Sequence, residues 1–206
     1  MLDRIFILIK SLSGRSGKVQ TSMTGAQAQS GFSLIELAIV LTIIALVAVV
    51  TLPQATRTLR AYRASSDARS LASQLAFTKM RAANGFTWAR MNCDLTAKSC
   101  QVETCTTKGT STCTTYTAEG GALTLSQEMT FGYGSISTAA GSQSSIQNTA
   151  QIVFNSRSLP VDTTGAPTGN YALYLNNGYG DTYAITVYAS GRVAVWRYIS
   201  GAWSVQ

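Results

Sequence analysis

The hydrophobic pattern divides the chain into three regimes. Residues 32–52 read FSLIELAIVLTIIALVAVVTL, an unbroken apolar run of 21 residues whose single charge is Glu36. As a helix rising ~1.5 Å per residue, such a run spans ~30 Å, the hydrocarbon thickness of a bilayer. It is longer than the apolar core of an ordinary secretory signal, about 7–15 residues, so it is read as a membrane helix. Residues 54–84 contain no glycine or proline. Leu59, Tyr62, Leu71, Leu75 and Ala83 recur there near the helical period, with Arg60, Arg63, Asp67 and Lys79 mostly off that stripe. An amphipathic helix continuing after Pro53 is expected, stopped at Asn84-Gly85.

Beyond Gly85 the period shortens. Residues 86–91, 101–104, 114–118, 152–154, 171–175, 184–188 and 193–198 are short β-branched or aromatic runs, each read as a strand. Ser190-Gly191 marks a hairpin, and Ser200-Gly201 leads into a last segment at 202–205. Residues 135–151, rich in Ser, Ala, Gly and Gln, read as a mobile loop. The expectation is an α+β chain: one long N-terminal helix, half membrane-spanning and half amphipathic, packed on an antiparallel β-sheet head.

Composition narrows the chemistry. At 206 residues there is room for one domain and an appendage. Apolar residues make up 46% and charged ones 12%, consistent with part of the chain lying in lipid. Histidine is absent, which excludes imidazole catalysis and imidazole metal ligation. The nine carboxylates are scattered, so no enzymatic constellation, cofactor or metal site is expected. The net charge of +7 is uneven. Arg4, Lys10, Arg15 and Lys18 precede the apolar run, and Arg57, Arg60, Arg63, Arg69, Lys79, Arg81 and Arg90 follow it. Asp3, Glu36 and Asp67 offset part of that charge, and residues 91–206 carry one more acid than base.

Glu36 is the feature a plain anchor leaves unexplained. A charge within a membrane helix costs several kcal/mol and calls for a partner. In the uncut chain the nearest preceding base is Lys18. A cut before Phe32 would create an α-amine four residues from Glu36, in its own chain or a neighbour's, and supply that partner. The stretch Gly31-Phe32-Ser33-Leu34-Ile35-Glu36 resembles the class III signal of type IV prepilins and pseudopilins. The resemblance implies cleavage between Gly31 and Phe32 by a membrane-embedded prepilin peptidase and N-methylation of Phe32. It also implies an assembly and register role for Glu36, and a helix break at Pro53. Met23 is an alternative start that would shorten the leader.

The basic leader places the N-terminal side in the cytoplasm by the positive-inside tendency, while Arg57, Arg60 and Arg63 oppose it. The resemblance decides for a periplasmic head on a single-pass inner-membrane protein. The implied organisation is a cleavable leader at 1–31, a transmembrane and filament-core helix at 32–53, a stalk helix at 54–85 and a β-rich head at 86–206. Within the head and stalk, Leu71-Ala72-Ser73-Gln74-Leu75-Ala76, Ile152-Val153-Phe154-Asn155-Ser156 and Gly191-Arg192-Val193 resemble the GspH/FimT group of minor pilins and minor pseudopilins. Other pilin or pseudopilin subunits are then the expected partners, with the inner membrane before assembly. The sequence leaves open a type IV pilus or a type II secretion pseudopilus, and a minor or a main subunit.

Cys93, Cys100, Cys105 and Cys113 lie outside the cytoplasm on this reading, where an even number points to disulfides. Their spacing lacks the C-x2-C pairs of a thiolate zinc site. Three connectivities are open, with pairing of sequence neighbours taken as the expectation. DNA is the alternative partner, because some FimT-type proteins are implicated in DNA uptake through a Gly-Arg-x-Arg segment. Here that segment reads Gly191-Arg192-Val193-Ala194, so the second arginine is missing and Arg192 and Arg197 are the remaining candidates. With residues beyond 90 at net −1, these arginines read as ordinary strand residues.

Overall fold

A computed structural model of the chain describes residues 33–109 and 112–206. The leader at 1–31, Gly31 and Phe32 therefore lie outside the described residues. The chain divides into two compact units, one ending at Leu46 and one running from Val47 to Gln206.

The described part of the first unit is the start of helix α1 (Leu34–Gly85, 52 residues), which continues into the second unit. Pro53 lies inside α1, so the expected helix break there is corrected: the helix runs through it. Proline removes one rung of the hydrogen-bond ladder, a penalty of ~3 kcal/mol in an isolated helix. Long helical segments on both sides dilute that loss. Nearby threonines also bond the backbone, Thr51 donating to the Val47 carbonyl at 3.0 Å and Thr56 to the Pro53 carbonyl at 2.9 Å.

α1 ends in a Schellman arrangement. The Thr87 amide donates to the Ala82 carbonyl at 3.1 Å and the Phe86 amide to the Ala83 carbonyl at 3.2 Å. The left-handed residue is Phe86 (φ 48°), one position beyond the glycine that the sequence suggested as the stop. That turn occupies residues 86–88, which is why the first strand begins later than expected.

Among the described residues ten strands follow in two antiparallel sheets. The first has the order β3 (Tyr116–Thr124), β2 (Ser99–Cys105), β1 (Ala89–Asp94), β5 (Gln151–Phe154), β6 (Pro160–Val161). The second has β10 (Ala202–Val205), β9 (Val193–Ile199), β8 (Thr182–Val187), β7 (Tyr171–Asn176), β4 (Thr130–Phe131). The two-residue strands β4 and β6 carry too few residues to show a period and were not expected. One core joins both sheets to the helix: Met91, Ile152 and Phe154 from the first, Leu173, Leu175 and Ile185 from the second, against Leu71 and Leu75. The α+β arrangement of a long helix on antiparallel sheets is therefore the fold.

The helix face that packs keeps Leu71 and Leu75 of the expected stripe but departs from it at the other positions. Ala64, Ala68, Leu71, Leu75, Thr78 and Ala82 are buried, at alternating steps of four and three. Leu59 and Tyr62 are 55% and 72% exposed, and Ala82 rather than Ala83 is buried. Small alanines on the packed face let the sheets approach the helix axis, so the buried stripe is less hydrophobic by composition than the exposed one. Two polar ties reinforce it. Asp67 accepts from the Ser126 amide at 2.9 Å and its hydroxyl at 3.1 Å, and Lys79 donates to the Gly191 carbonyl at 3.0 Å. Gly191 has φ 76°, and a β-carbon there would lie 2.5 Å from the Ser158 carbonyl, so the β8–β9 turn requires glycine.

The segment expected to be a mobile loop at 135–151 is a loop as far as Ala150, packed as a cover, and Gln151 already belongs to β5. It lies on the face of the second sheet opposite α1. Ala140 is fully buried with Ala172, Tyr174 and Ala184, and Ile146 and Trp196 pack beside them. The Tyr174 amide donates to the Asn148 side chain at 2.6 Å, the Ala140 amide to the Tyr174 hydroxyl at 3.1 Å, and Trp203 Nε1 to the Thr138 carbonyl at 2.9 Å. Small residues allow this close approach, and their composition resembles that of a loop.

Because Leu71 is fully buried and Leu59 is exposed, Leu71→Ala should destabilise the detergent-solubilised protein by about 2–5 kcal/mol. Leu59→Ala should change stability by less than about 0.5 kcal/mol in the same denaturant titration.

Candidate assembly and membrane surface

The helix start is built from Ser33 and Glu36. The Leu37 amide donates to the Ser33 carbonyl at 3.1 Å, so Ser33 stands at the N-cap position and Glu36 at the third helical position. Ser-x-x-Glu is the spacing of a capping box, and a carboxylate in the first turn also interacts favourably with the helix dipole. The helix dipole thus favours the Glu36 carboxylate at this position.

The apolar run after it is exposed among the described residues. A window of α1 has mean hydropathy 2.8 and no buried residue. Leu34 is 84% exposed, and Ile43, Leu46 and Val49 stand likewise open. Fully burying each such side chain is worth about 1.5–3 kcal/mol. Among the described residues this segment therefore presents a continuous apolar surface.

Further along, α1 presents a second face away from the sheets. Leu59, Tyr62, Phe77 and Met80 are exposed on it. Between them, Ser65, Ser66, Arg69, Ser70 and Ser73 line a shallow depression beside Tyr62. The basic residues after the run differ in engagement. Arg60 pairs with Glu128 at 3.5 Å and lies 4.0 Å from the centre of the Tyr179 ring. Arg57 forms no ion pair among the described residues.

The cysteines form two bonds, Cys93–Cys100 and Cys105–Cys113. The first joins directly opposed residues of β1 and β2 and lies in the core. The second ties the end of β2 to the segment before β3.

Arg192 and Arg197 do not form a common basic surface. Arg197 is bound to Asp181 at 3.1 Å and lies near the Tyr183 ring, whereas Arg192 is exposed and sits 5.5 Å from the Tyr188 ring. Arg192 lies in the β8–β9 turn, just before the strand, whereas Arg197 lies within β9. Trp196 is equally committed: its Nε1 donates to the Thr186 hydroxyl at 2.9 Å, and its ring packs on the outer face of the sheet.

The titration behaviour of the head reflects burial and turn geometry. Tyr171, whose hydroxyl donates to the Val161 carbonyl, is pushed up to about 12, chiefly by burial and then by the Asp162 carboxylate. Burial also raises Tyr116 and Tyr174. Asp162 is held below the usual carboxylate range, first by the Thr164 hydroxyl and next by the Ala166 amide.

Residues 27–52 match the family model described as the prokaryotic N-terminal methylation motif. The chain carries that motif. The likeness of residues 31–36 to type IV pilin-like proteins is thereby shown, and the exposed apolar start of α1 belongs to the same matched segment. Two solved structures of the minor pseudopilin EpsH from the type 2 secretion system of Vibrio cholerae are similar to the chain. One has a TM-score of 0.45 at 11% identity, covering 65% of this chain and 95% of that one. The other has a TM-score of 0.44 at 12% identity, covering 65% and 92%. No curated protein matches the chain significantly.

Sequence reasoning missed the loop after β7, Asn177-Gly178-Tyr179-Gly180-Asp181, which folds beside Arg57 and Arg60. Its turn residues were a legible signal, but its neighbours were not.

The raised Tyr171 phenol fixes a sign. The unfolded chain ionises this group near 10 and the folded chain near 12. Its stabilising contribution is therefore complete below pH 10 and is lost as pH rises from there through 12. Wild-type denaturation midpoints should fall over that window, and Tyr171→Phe should flatten the decline.

Proposed function

We propose that the chain is a structural subunit, a minor pilin or minor pseudopilin of the GspH/FimT type. The observation that carries this reading is the methylation motif at 27–52 leading into a helix whose apolar surface is exposed among the described residues. A prepilin peptidase removes residues 1–31, and Phe32 becomes the N-methylated terminus. The processed subunit waits in the inner membrane as a single-pass protein with its head in the periplasm. Its helix then leaves lipid for a bundle of related helices in a type IV pilus or a type II secretion pseudopilus. Both environments are apolar, so the transfer exchanges one cover for another.

Glu36 gives the transfer its register. In an apolar bundle an uncompensated carboxylate costs several kcal/mol, and the terminal amine of a neighbouring Phe32 removes that penalty at one axial offset only. The outward stripe of Leu59, Tyr62, Phe77 and Met80 offers further contact for a neighbouring subunit. The chemistry is one of assembly, and no catalytic step is assigned. Arg197 lends no support to the DNA-binding alternative, given its pairing with Asp181.

Two measurements test the reading. Terminal sequencing and mass analysis of protein from cells with a prepilin peptidase should give a chain starting at methylated Phe32, and Gly31→Ala should block the cut. Glu36→Ala should leave the processed protein in the membrane while lowering its incorporation into filaments at least about ten-fold, in line with the loss of a buried pair. Unchanged incorporation would remove the register role.

A further inference from the structure

We infer that the cleft between α1 and the β7–β8 loop is a headgroup site for anionic phospholipid, engaged while the subunit is in the membrane. The inference rests on the membrane reading of the apolar run. The cleft, about 560 Å³, is lined by Arg57, Arg60, Ala61, Tyr179 and Asp181.

Its position follows from the sequence of α1. Arg57 lies five residues past Leu52, the last residue of the run, or ~7.5 Å along the helix, and Arg60 lies ~12 Å along it. The headgroup layer occupies roughly 5–8 Å beyond the hydrocarbon on each side. Helical side chains lean toward the N-terminus, here toward the apolar run, so both guanidinium groups reach back to that layer.

The loop is built to hold an aromatic ring at the same level. Asn177 is 4% exposed. Its Oδ1 accepts from the amides of Tyr179 at 2.9 Å and Asp181 at 3.1 Å, and its Nδ2 donates to Asp181 at 3.0 Å. Gly178 and Gly180 take φ of 71° and 104°, which other residues rarely adopt. This scaffold presents Tyr179 at 63% exposure, with its ring against Arg60. An exposed tyrosine beside arginines is the composition of a membrane interface.

The charge balance selects an anion. Asp181 is neutralised by Arg197, and Glu128 by Arg60, leaving Arg57 without a counter-ion among the described residues. Arg63 adds a further positive charge one turn of the helix beyond Arg60. A lipid phosphate supplies what Arg57 lacks, and its glycerol region can rest against Tyr179.

The test uses the full chain reconstituted in vesicles, with Tyr179→Trp as the reporter and wild type as the background from the native tryptophans. A lipid spin-labelled at its headgroup acts as quencher. Vesicles are phosphatidylcholine alone or mixed with phosphatidylglycerol, and co-flotation after carbonate washing reports insertion separately. Excess quenching of the reporter should appear with phosphatidylglycerol. It should drop to about one-fifth on adding Arg57→Ser, the size expected for one arginine at an anionic surface. Equal quenching in both lipids, or no effect of Arg57→Ser, overturns the site. Quenching that follows protein density rather than phosphatidylglycerol assigns the cleft to a second copy and also overturns it. Failure to co-float with either vesicle removes the membrane reading and this site with it. Co-flotation without phosphatidylglycerol-dependent quenching removes the site alone.

Discussion

The constraint on which the rest depends is the bare apolar start of α1. A folded chain ordinarily turns such residues inward, yet here the aliphatic side chains from Leu34 to Leu52 stay exposed among the described residues. Water is excluded as a lasting environment by the accumulated cost of exposing so many aliphatic side chains. Every other feature can be read as preparation for an external cover. The single carboxylate sits at the helix start, where the helix dipole favours it. The charges are gathered beyond the far end of the run, where a bilayer or a bundle would stop.

The second half of α1 shows how one helix can serve two purposes. Its buried face is built on alanines with Leu71 and Leu75 as the main anchors, which brings two sheets close to the helix and forms a single core. Asp67 and Lys79 then fix the helix to the segment before β4 and to the β8–β9 turn. The opposite face keeps larger side chains in solvent. A helix that bound its head through its largest residues would have none left for a neighbour. Packing through small residues leaves Leu59, Tyr62, Phe77 and Met80 outside.

The head is held by polar satisfaction as much as by hydrophobic burial. The cover at 136–149 meets the outer sheet face through Tyr174, Asn148 and Thr149, pairing backbone groups that would otherwise be left unbonded on a buried surface. On the first sheet, Arg90 bridges Glu103 at 2.6 Å and lies over Tyr116. The core disulfide sets the register of β1 against β2, and the outer one closes the threonine-rich loop before β3.

The sequence by itself determined the features that depend on local order. These are the apolar run with Glu36 and the continuation of a helix to about residue 85. They also include most of the longer strands and the hairpin at Ser190-Gly191. Run length, period and turn residues act over a few positions and can be read without partners. Only the tertiary structure decided which face of α1 is buried, because alanines win that face through close approach, a property of the sheets they meet. It also decided that Pro53 is carried through, since a lost hydrogen bond counts for little between long helical flanks. The residues 135–151 became a cover because the outer face of the second sheet needed one. Tyr179 came to lie against Arg60 only because strand pairing brought together positions more than a hundred residues apart, which no local pattern encodes.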